Sequence, residues 1–235
     1  MKLRAIAALV ALASAPALAS DFDRVRTLTQ DQFNAVTRDL GAAFAYKGVA
    51  PGTPLGVVGF DLGVEITDTK LENIGAIRAA GNDAPDHVVI PKFHAHKGLW
   101  AGFDIGAFVG GASRVGATLY GLDLRYAVVP EGLAVPGISL RASGTRATGL
   151  GPLKVDTAAF DGMVSKRFAL FTPYAGAGVV RMRGTVDGST LATASPSKGR
   201  VFAGINLNLL ATNLAFEAEK LGDNTSLSAK VGFRF

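Results

Sequence analysis

The sequence predicts an all-β fold, a transmembrane antiparallel up-and-down β-barrel of about ten strands with an N-terminal amphipathic helix. Three observations support this fold class. The 235-residue chain is 49% hydrophobic and contains 29 glycines. Beyond its first residues, it has no run of about 18 apolar residues that could form a membrane helix. From residue 57 onward, apolar and polar residues alternate, and a closed sheet pairs every backbone polar group that enters hydrocarbon.

The first 19 residues have the pattern of a secretory signal peptide. Lys2 and Arg4 form a positive n-region, residues 5–15 are apolar, and residues 17–19 read Ala-Leu-Ala, an A-x-A cleavage site. We therefore expect an exported chain that resides in the cell outer membrane. We divide the chain into a signal peptide (1–19), an N-terminal helix and linker (20–56) and a barrel (57–235).

The charge and cysteine content limit the possible partners. The formal net charge is +5, with no dense basic patch, and so no nucleic-acid partner is expected. The chain contains no cysteine, so an exported protein of this sequence must be stable without disulfides.

Residues 29–46 are predicted to form the helix. Thr29 and Gln32 have the spacing of a capping box. The apolar face, at helical spacing, consists of Phe33, Val36, Leu40 and Phe44. This face must be buried, and three places are open: a plug position in the lumen, the inner leaflet surface, or a partner. A polar lumen suits it poorly, but Trp100 and Phe108, interpreted as facing inward, indicate a partly apolar lumen.

Ten strands are expected. Their centres are Leu62, Val89, Ile105, Leu124, Leu140, Phe160, Gly178, Ile205, Phe216 and Val231. Eight or twelve strands remain alternatives, because Pro91 interrupts the second strand and the alternation near residues 160–162 is unclear, as a bulge would make it. The longest connections, 68–86 and 187–198, both fall on the outer side, as expected for outer-membrane barrels. An even count returns both barrel ends to the periplasm, where we expect the helix to remain.

The alternation of polar and apolar residues also predicts which side chains face the lumen, because a carboxylate that faces lipid costs free energy. The predicted lumenal charges are Asp61, Glu65, Asp104, Asp123, Glu217 and Glu219, with Arg125, Arg141, Arg181, Arg183, Lys230 and Arg234. Because acidic and basic side chains occur in equal numbers, we expect a network of ion pairs inside the barrel rather than a strongly ion-selective channel. A barrel of this size leaves little room for an open pore.

The final strand alternates and ends at Phe233 and Phe235. Together with the signal peptide and the repeated amphipathic strands, this ending resembles Gram-negative outer-membrane β-barrel proteins. The resemblance covers residues 57–235 and implies that Phe233 and Phe235 are the signal that the barrel-assembly machinery reads. The helix and the first strand, Gly-Phe-Asp-Leu-Gly-Val-Glu, are similar to a proteobacterial group of unassigned function. A water-soluble barrel or sandwich is the alternative fold, since its strands alternate too.

Three functions follow from these features. The first is restricted passage or binding of a small solute, with the helix as plug or gate. The second is a structural or surface-interaction barrel that contacts partners through residues 68–86 and 187–198. The third is a lipid-modifying enzyme, but no serine and histidine pair is singled out, and we expect no enzyme. His94 and His96 lie on one side of a strand, yet with so few other ligands we predict no metal site and no cofactor. The expected partners are outer-membrane lipid, the assembly machinery and a possible solute.

Overall fold

The computed structural model describes residues 22–83, 85–209 and 212–235. The proposed signal peptide lies outside the described residues. Ten antiparallel strands close into one barrel, in which each strand pairs with its sequence neighbours and β1 pairs with β10. The strands are β1 (Phe60–Lys70), β2 (His87–Gly98), β3 (Phe103–Ala112), β4 (Ala117–Val129), β5 (Gly137–Thr148), β6 (Leu153–Ser165), β7 (Phe171–Val186), β8 (Ser197–Leu209), β9 (Thr212–Leu221) and β10 (Asn224–Arg234). The predicted fold class and strand count are confirmed.

Among the described residues, two α-helices accompany the barrel. Helix α1 spans Gln30–Phe44, and both hydrogen bonds of the predicted capping box between Thr29 and Gln32 are present. Helix α2, Ile74–Ala79, lies in the connection between β1 and β2. Within the described ranges, neither helix is both long and apolar enough to cross a membrane.

The barrel closes where the first and last strands meet. The Phe60 amide donates to the Phe235 carbonyl at 2.8 Å and the Phe235 amide donates back at 3.0 Å, and their ring centroids lie 3.8 Å apart. We call this end, with the connections 99–102, 130–136 and 166–170, the turn end. The opposite end carries the long connections 71–86 and 187–196 and is called the loop end. In outer-membrane barrels the short turns face the periplasm and the long loops face outward.

The outer wall of the barrel is apolar between its two ends. On β1 the side chains of Leu62, Val64 and Ile66 are exposed, while Asp61 and Glu65 between them are buried. The same alternation continues around the barrel, which leaves a continuous apolar belt for lipid.

Helix α1 lies inside the barrel, against the inner faces of β1, β5, β6, β7 and β10 and against α2. Of the positions that the sequence leaves open for this helix, the structure shows the one in the lumen and not one on the periplasmic side. The contact with α2 places α1 in the loop-end part of the lumen, and residues 45–56 run from there to the start of β1 at the turn end. An apolar inner wall makes this position favourable for the helix, as the next section shows.

Three sequence predictions about side-chain orientation need correction. Arg181 and Arg183 point outward, whereas Val180 and Met182 are buried inside. Trp100 lies in a turn-end connection and is 73% exposed. The expected bulge near residue 160 is absent from the β5–β6 and β6–β7 pairings, which run in unbroken register there; the irregularity lies between Ala127 and Val129.

Candidate functional site in the barrel lumen

The inward-facing side chains change character along the strands, and this divides the lumen into two parts. On β2, Val88 and Ile90 near the loop end are followed by Lys92, His94 and His96 toward the turn end. The inward side chains of β4 change in the same way, from Ala117 and Leu119 near the loop end to Asp123 and Arg125 toward the turn end. We call the loop-end part the apolar half and the turn-end part the polar half.

The apolar half contains a hydrophobic core like that of a water-soluble domain. Phe33, Val36, Leu40 and Phe44 of α1 are each at most 1% exposed. They pack in one cluster with residues from the wall and the loops, including Ile77, Ile90, Leu119, Leu150 and Val155. Burying four such side chains contributes roughly 1.5–3 kcal/mol each, which sums to an amount comparable with the stability of a whole domain.

Close contacts hold α1 against β7. A Cβ placed on Gly41 would lie 2.6 Å from Cγ of Met182, so a larger residue there would push the helix off the wall. On the other side of α1, Asp39 accepts hydrogen bonds from the Asn73 side chain at 2.9 Å and from Asn224 at 3.1 Å. The helix is thus fixed to the wall, to the β1–β2 connection and to β10.

The polar half encloses residues 45–56, which bind the wall through their backbone as well as through side chains. The carbonyls of Tyr46, Pro51 and Thr53 accept from Arg200 at 2.7 Å, Arg125 at 3.4 Å and Arg234 at 3.1 Å, respectively. Backbone carbonyls bind arginine whatever side chain the residue carries, so this segment needs no conspicuous sequence motif.

Tyr46 stands at the boundary of the two halves. Its ring lies 5.3 Å from the Phe108 ring, and its hydroxyl donates to Asp123 Oδ1 at 2.5 Å. Asp123 also binds Arg125 Nε at 2.8 Å and His96 Nε2 at 2.9 Å. Burial, followed by the nearby Asp123 carboxylate, raises the pKa of Tyr46 well above its usual value, so the hydroxyl remains a donor.

A second ion cluster surrounds Asp161. Its carboxylate accepts from Arg141 Nε at 3.0 Å and from Arg200 Nε at 2.9 Å. Arg200 also lies 3.4 Å from Glu219, which pairs with Lys47 of the internal segment at 3.3 Å. Burial lowers the pKa of Lys47, and the Glu219 carboxylate acts in the opposite direction.

A third cluster lies along β1. Lys230 and Arg234 approach Asp61 Oδ2 at 2.7 and 2.9 Å. Lys92 lies 2.6 Å from Glu65 Oε1. His94 sits between the two carboxylates, with Nδ1 at 3.4 Å from Glu65.

Most of the predicted lumenal charges lie in the polar half. The structure places Asp61, Glu65, Asp104, Asp123, Arg125, Arg141, Glu217, Glu219, Lys230 and Arg234 there. The predicted set lacks Lys47, Lys92, Asp161 and Arg200. Asp161 lies at an inward position of β6, where the alternation is unclear, and Arg200 lies at an inward position near the start of β8, whose observed start precedes the predicted one. With Arg181 and Arg183 removed and these four added, the two signs still balance, so the polar half is a neutral, paired network rather than a field of one sign.

The polar half also contains buried polar atoms without a hydrogen-bond partner in the protein. They include Arg141 Nη1 and Nη2, His94 Nε2, His96 Nδ1 and Ser139 Oγ. Buried polar groups of this kind are places where water binds. Across the described ranges, no group of three or more His, Asp or Glu side chains has the arrangement of a metal site.

No family model matches the chain, and no curated protein matches it. The narrower resemblance to a proteobacterial group therefore stays a prediction. Solved structures with a similar fold are outer-membrane barrels. The N-terminal β-barrel domain of OprF from Pseudomonas aeruginosa is 12% identical, with 74% of this chain and 97% of that chain covered and a TM-score of 0.37.

Two further similar structures are a porin and an outer membrane protein. The KdgM porin, solved in complex with disordered oligogalacturonate, is 10% identical, with 76% and 99% covered and a TM-score of 0.39. OprG, an outer membrane protein from Pseudomonas aeruginosa, is 10% identical, with 79% and 99% covered and a TM-score of 0.35. At this level, the likeness is one of fold.

Proposed function

We propose that the protein is a small outer-membrane barrel whose lumen is closed at rest by its own residues 22–56. In this proposal, a small solute binds or passes only when the polar part of that plug moves. The observation that carries the proposal is the burial of Arg125, Arg141 and Arg200 beneath the plug, each at most 2% exposed. Bulk solvent therefore has no contact with these side chains, which would line a channel through the polar half.

The two parts of the plug differ in how easily they could move. Withdrawing α1 would expose Phe33, Val36, Leu40 and Phe44 to water, at roughly 6–12 kcal/mol in total. Such a cost keeps α1 in place, so we propose that it is a plug rather than a gate. Residues 45–56 are held by hydrogen bonds to the wall and by the Lys47–Glu219 ion pair, polar contacts that water can replace at a net cost of about 0.5–3 kcal/mol each. Any gating motion therefore belongs to this polar segment.

A disulfide can test whether the segment moves. Gly52 passes close to Ser139, and a Cβ built on Gly52 would lie 3.2 Å from the Ser139 Cβ, near the spacing of a disulfide. Because the chain has no cysteine, G52C/S139C gives one defined cross-link. In planar bilayers, we expect wild type to show rare brief current steps, which the oxidised double variant lacks and which a reductant restores.

The control variants are G52C and S139C alone, which should respond to neither oxidant nor reductant. A chain lacking residues 22–44 should conduct more often than wild type, because residues 45–56 then lose their anchor. Equal traces from the oxidised and reduced double variant, together with a closed trace from the folded deletion, would contradict the proposal.

A role at the outer surface is the second candidate, favoured by how the loop end is built. The Arg24 amide donates to the Ala80 carbonyl at 3.1 Å, the Arg26 side chain to the Asp187 carbonyl at 2.9 Å, and Gln30 to the Ala192 carbonyl at 3.1 Å. The N-terminal segment and the two long loops thus form one ordered surface. Replacing residues 71–86 and 187–196 should abolish adhesion or weaken the envelope; unchanged cells would argue against this role.

A further inference from the structure

The outward-facing arginines of β7 mark a second feature, on the outside of the barrel. Arg181 and Arg183 are exposed on the lipid-facing side of the strand, two residues and therefore about 7 Å apart. In the sheet register, Arg183 lies opposite Asp156 of β6, and Asp156 lies opposite Arg146 of β5. The three arginines thus lie on β5 and β7, on either side of Asp156 in the intervening strand β6.

The position of these arginines along the barrel axis is defined by the residues below them. The outward side chains between the turn end and Arg181 are Phe171, Pro173, Ala175, Ala177 and Val179. This apolar run covers nine residues, the length of a tilted membrane-spanning strand, about 9–11. Arg181 is therefore the first polar outward residue beyond the hydrocarbon.

A tyrosine on the outer wall independently marks the depth of these arginines in the membrane. Tyr120 of β4 lies directly opposite Arg146 in the β4–β5 register and is 53% exposed on the outer wall. Tyrosines concentrate where the hydrocarbon meets the lipid headgroups. The arginine cluster therefore lies at headgroup depth on the loop-end side.

The cluster has more positive charge than its protein neighbours neutralise. Arg146 pairs with Asp156 at 2.9 Å, and Lys154 with Asp187 at 2.7 Å. Within the described part of the chain, Arg181 and Arg183 have no carboxylate at salt-bridge distance. Across the barrel, on the outer face of β1 and β2, Asp68 pairs with His87 at 3.0 Å, whereas the β5–β7 sector carries two neighbouring exposed arginines without such a partner.

We propose that Arg146, Arg181 and Arg183 form a binding site for the phosphate groups of outer-leaflet lipid headgroups. Guanidinium groups bind phosphate through paired, charge-assisted hydrogen bonds. Two arginines without protein partners at headgroup depth supply such donors without first breaking an ion pair. The site is independent of the lumen, and so it does not rest on the plug proposed above.

Lipid binding to the purified full-length chain tests this site. Detergent-solubilised protein is mixed with bisphosphorylated lipid A, with the same lipid A stripped of its phosphates, or with inorganic phosphate, and bound lipid is counted by native mass spectrometry. Since each surface cation contributes about fivefold, R181Q/R183Q should weaken binding of the bisphosphorylated lipid at least about tenfold. Binding of the stripped lipid should be unchanged.

The matched control is R167Q. Arg167 is exposed in the turn-end connection of the same two strands and should leave all three affinities unchanged. Unaltered binding of the bisphosphorylated lipid to R181Q/R183Q would overturn the proposal. Binding of inorganic phosphate as tightly as the lipid would assign the site to a free anion instead and would overturn it too.

Discussion

The two halves of the lumen enclose the same N-terminal segment by different physical means. In the apolar half, α1 presents a continuous face to a wall of Ile90, Leu119 and Val155, and the contact is dry. In the polar half, residues 45–56 have little regular structure and are held by arginine side chains and carboxylates that reach in from the wall. The difference shows that one plug combines a part fixed by hydrophobic burial with a part that water can compete for.

The largest loss of stability is expected when a charge is placed in the apolar half. Leu40→Asp would bury a carboxylate with no basic partner, and we expect the free energy of unfolding to fall by about 4 kcal/mol or more. Urea unfolding in detergent micelles measures the change. Leu40→Met keeps the volume and should cost less than about 1.5 kcal/mol. A small effect of Leu40→Asp would mean that α1 leaves the lumen readily.

In the polar half, the strongest test is to remove one member of a buried ion cluster. Asp161→Asn leaves the charges of Arg141 and Arg200 without their shared carboxylate, and we expect a loss of about 3–5 kcal/mol. The exposed Arg146–Asp156 pair is the matched comparison, because Asp156→Asn should cost at most about 1 kcal/mol. Equal losses from the two variants, measured by the same unfolding method, would show that water already screens the polar half.

The boundary between the halves can be tested at Tyr46. Tyr46→Phe keeps the ring against Phe108 but removes the hydroxyl that donates to Asp123, and we expect a loss of about 1–3 kcal/mol. Tyr126→Phe is the control, since Tyr126 faces outward and stacks on Phe103 with ring centroids 4.6 Å apart. A neutral Tyr46→Phe would assign the stability of this boundary to packing alone.

Much of the architecture was predictable because strict alternation and turn residues determine it. In β1, exposed Leu62, Val64 and Ile66 alternate with buried Asp61 and Glu65, which leaves one possible orientation. The capping box likewise gave the start of α1 from two residues. Local chemistry decides both features, so a sequence pattern can reveal them.

Alternation alone did not predict which side chains of β7 face the lumen. The usual assumption places charged residues inside and apolar residues outside, and it fails where the lumen holds an apolar helix. Val180 and Met182 face inward because Ala42 and Ala45 of the plug lie against them, which leaves Arg181 and Arg183 to face out. Lys47 was missed for another reason: it lies in an irregular segment without periodicity, and only the fold brings Glu219 to it.

The course of residues 22–56 through the whole lumen also sets an order of assembly. Helix α1 with its side chains is about 10–12 Å across, and the polar half is filled by paired side chains, so a closed barrel offers no entrance for it. We therefore expect the N-terminal segment to be in place before β1 pairs with β10, and the hydrogen bonds between Phe60 and Phe235 to be among the last to form.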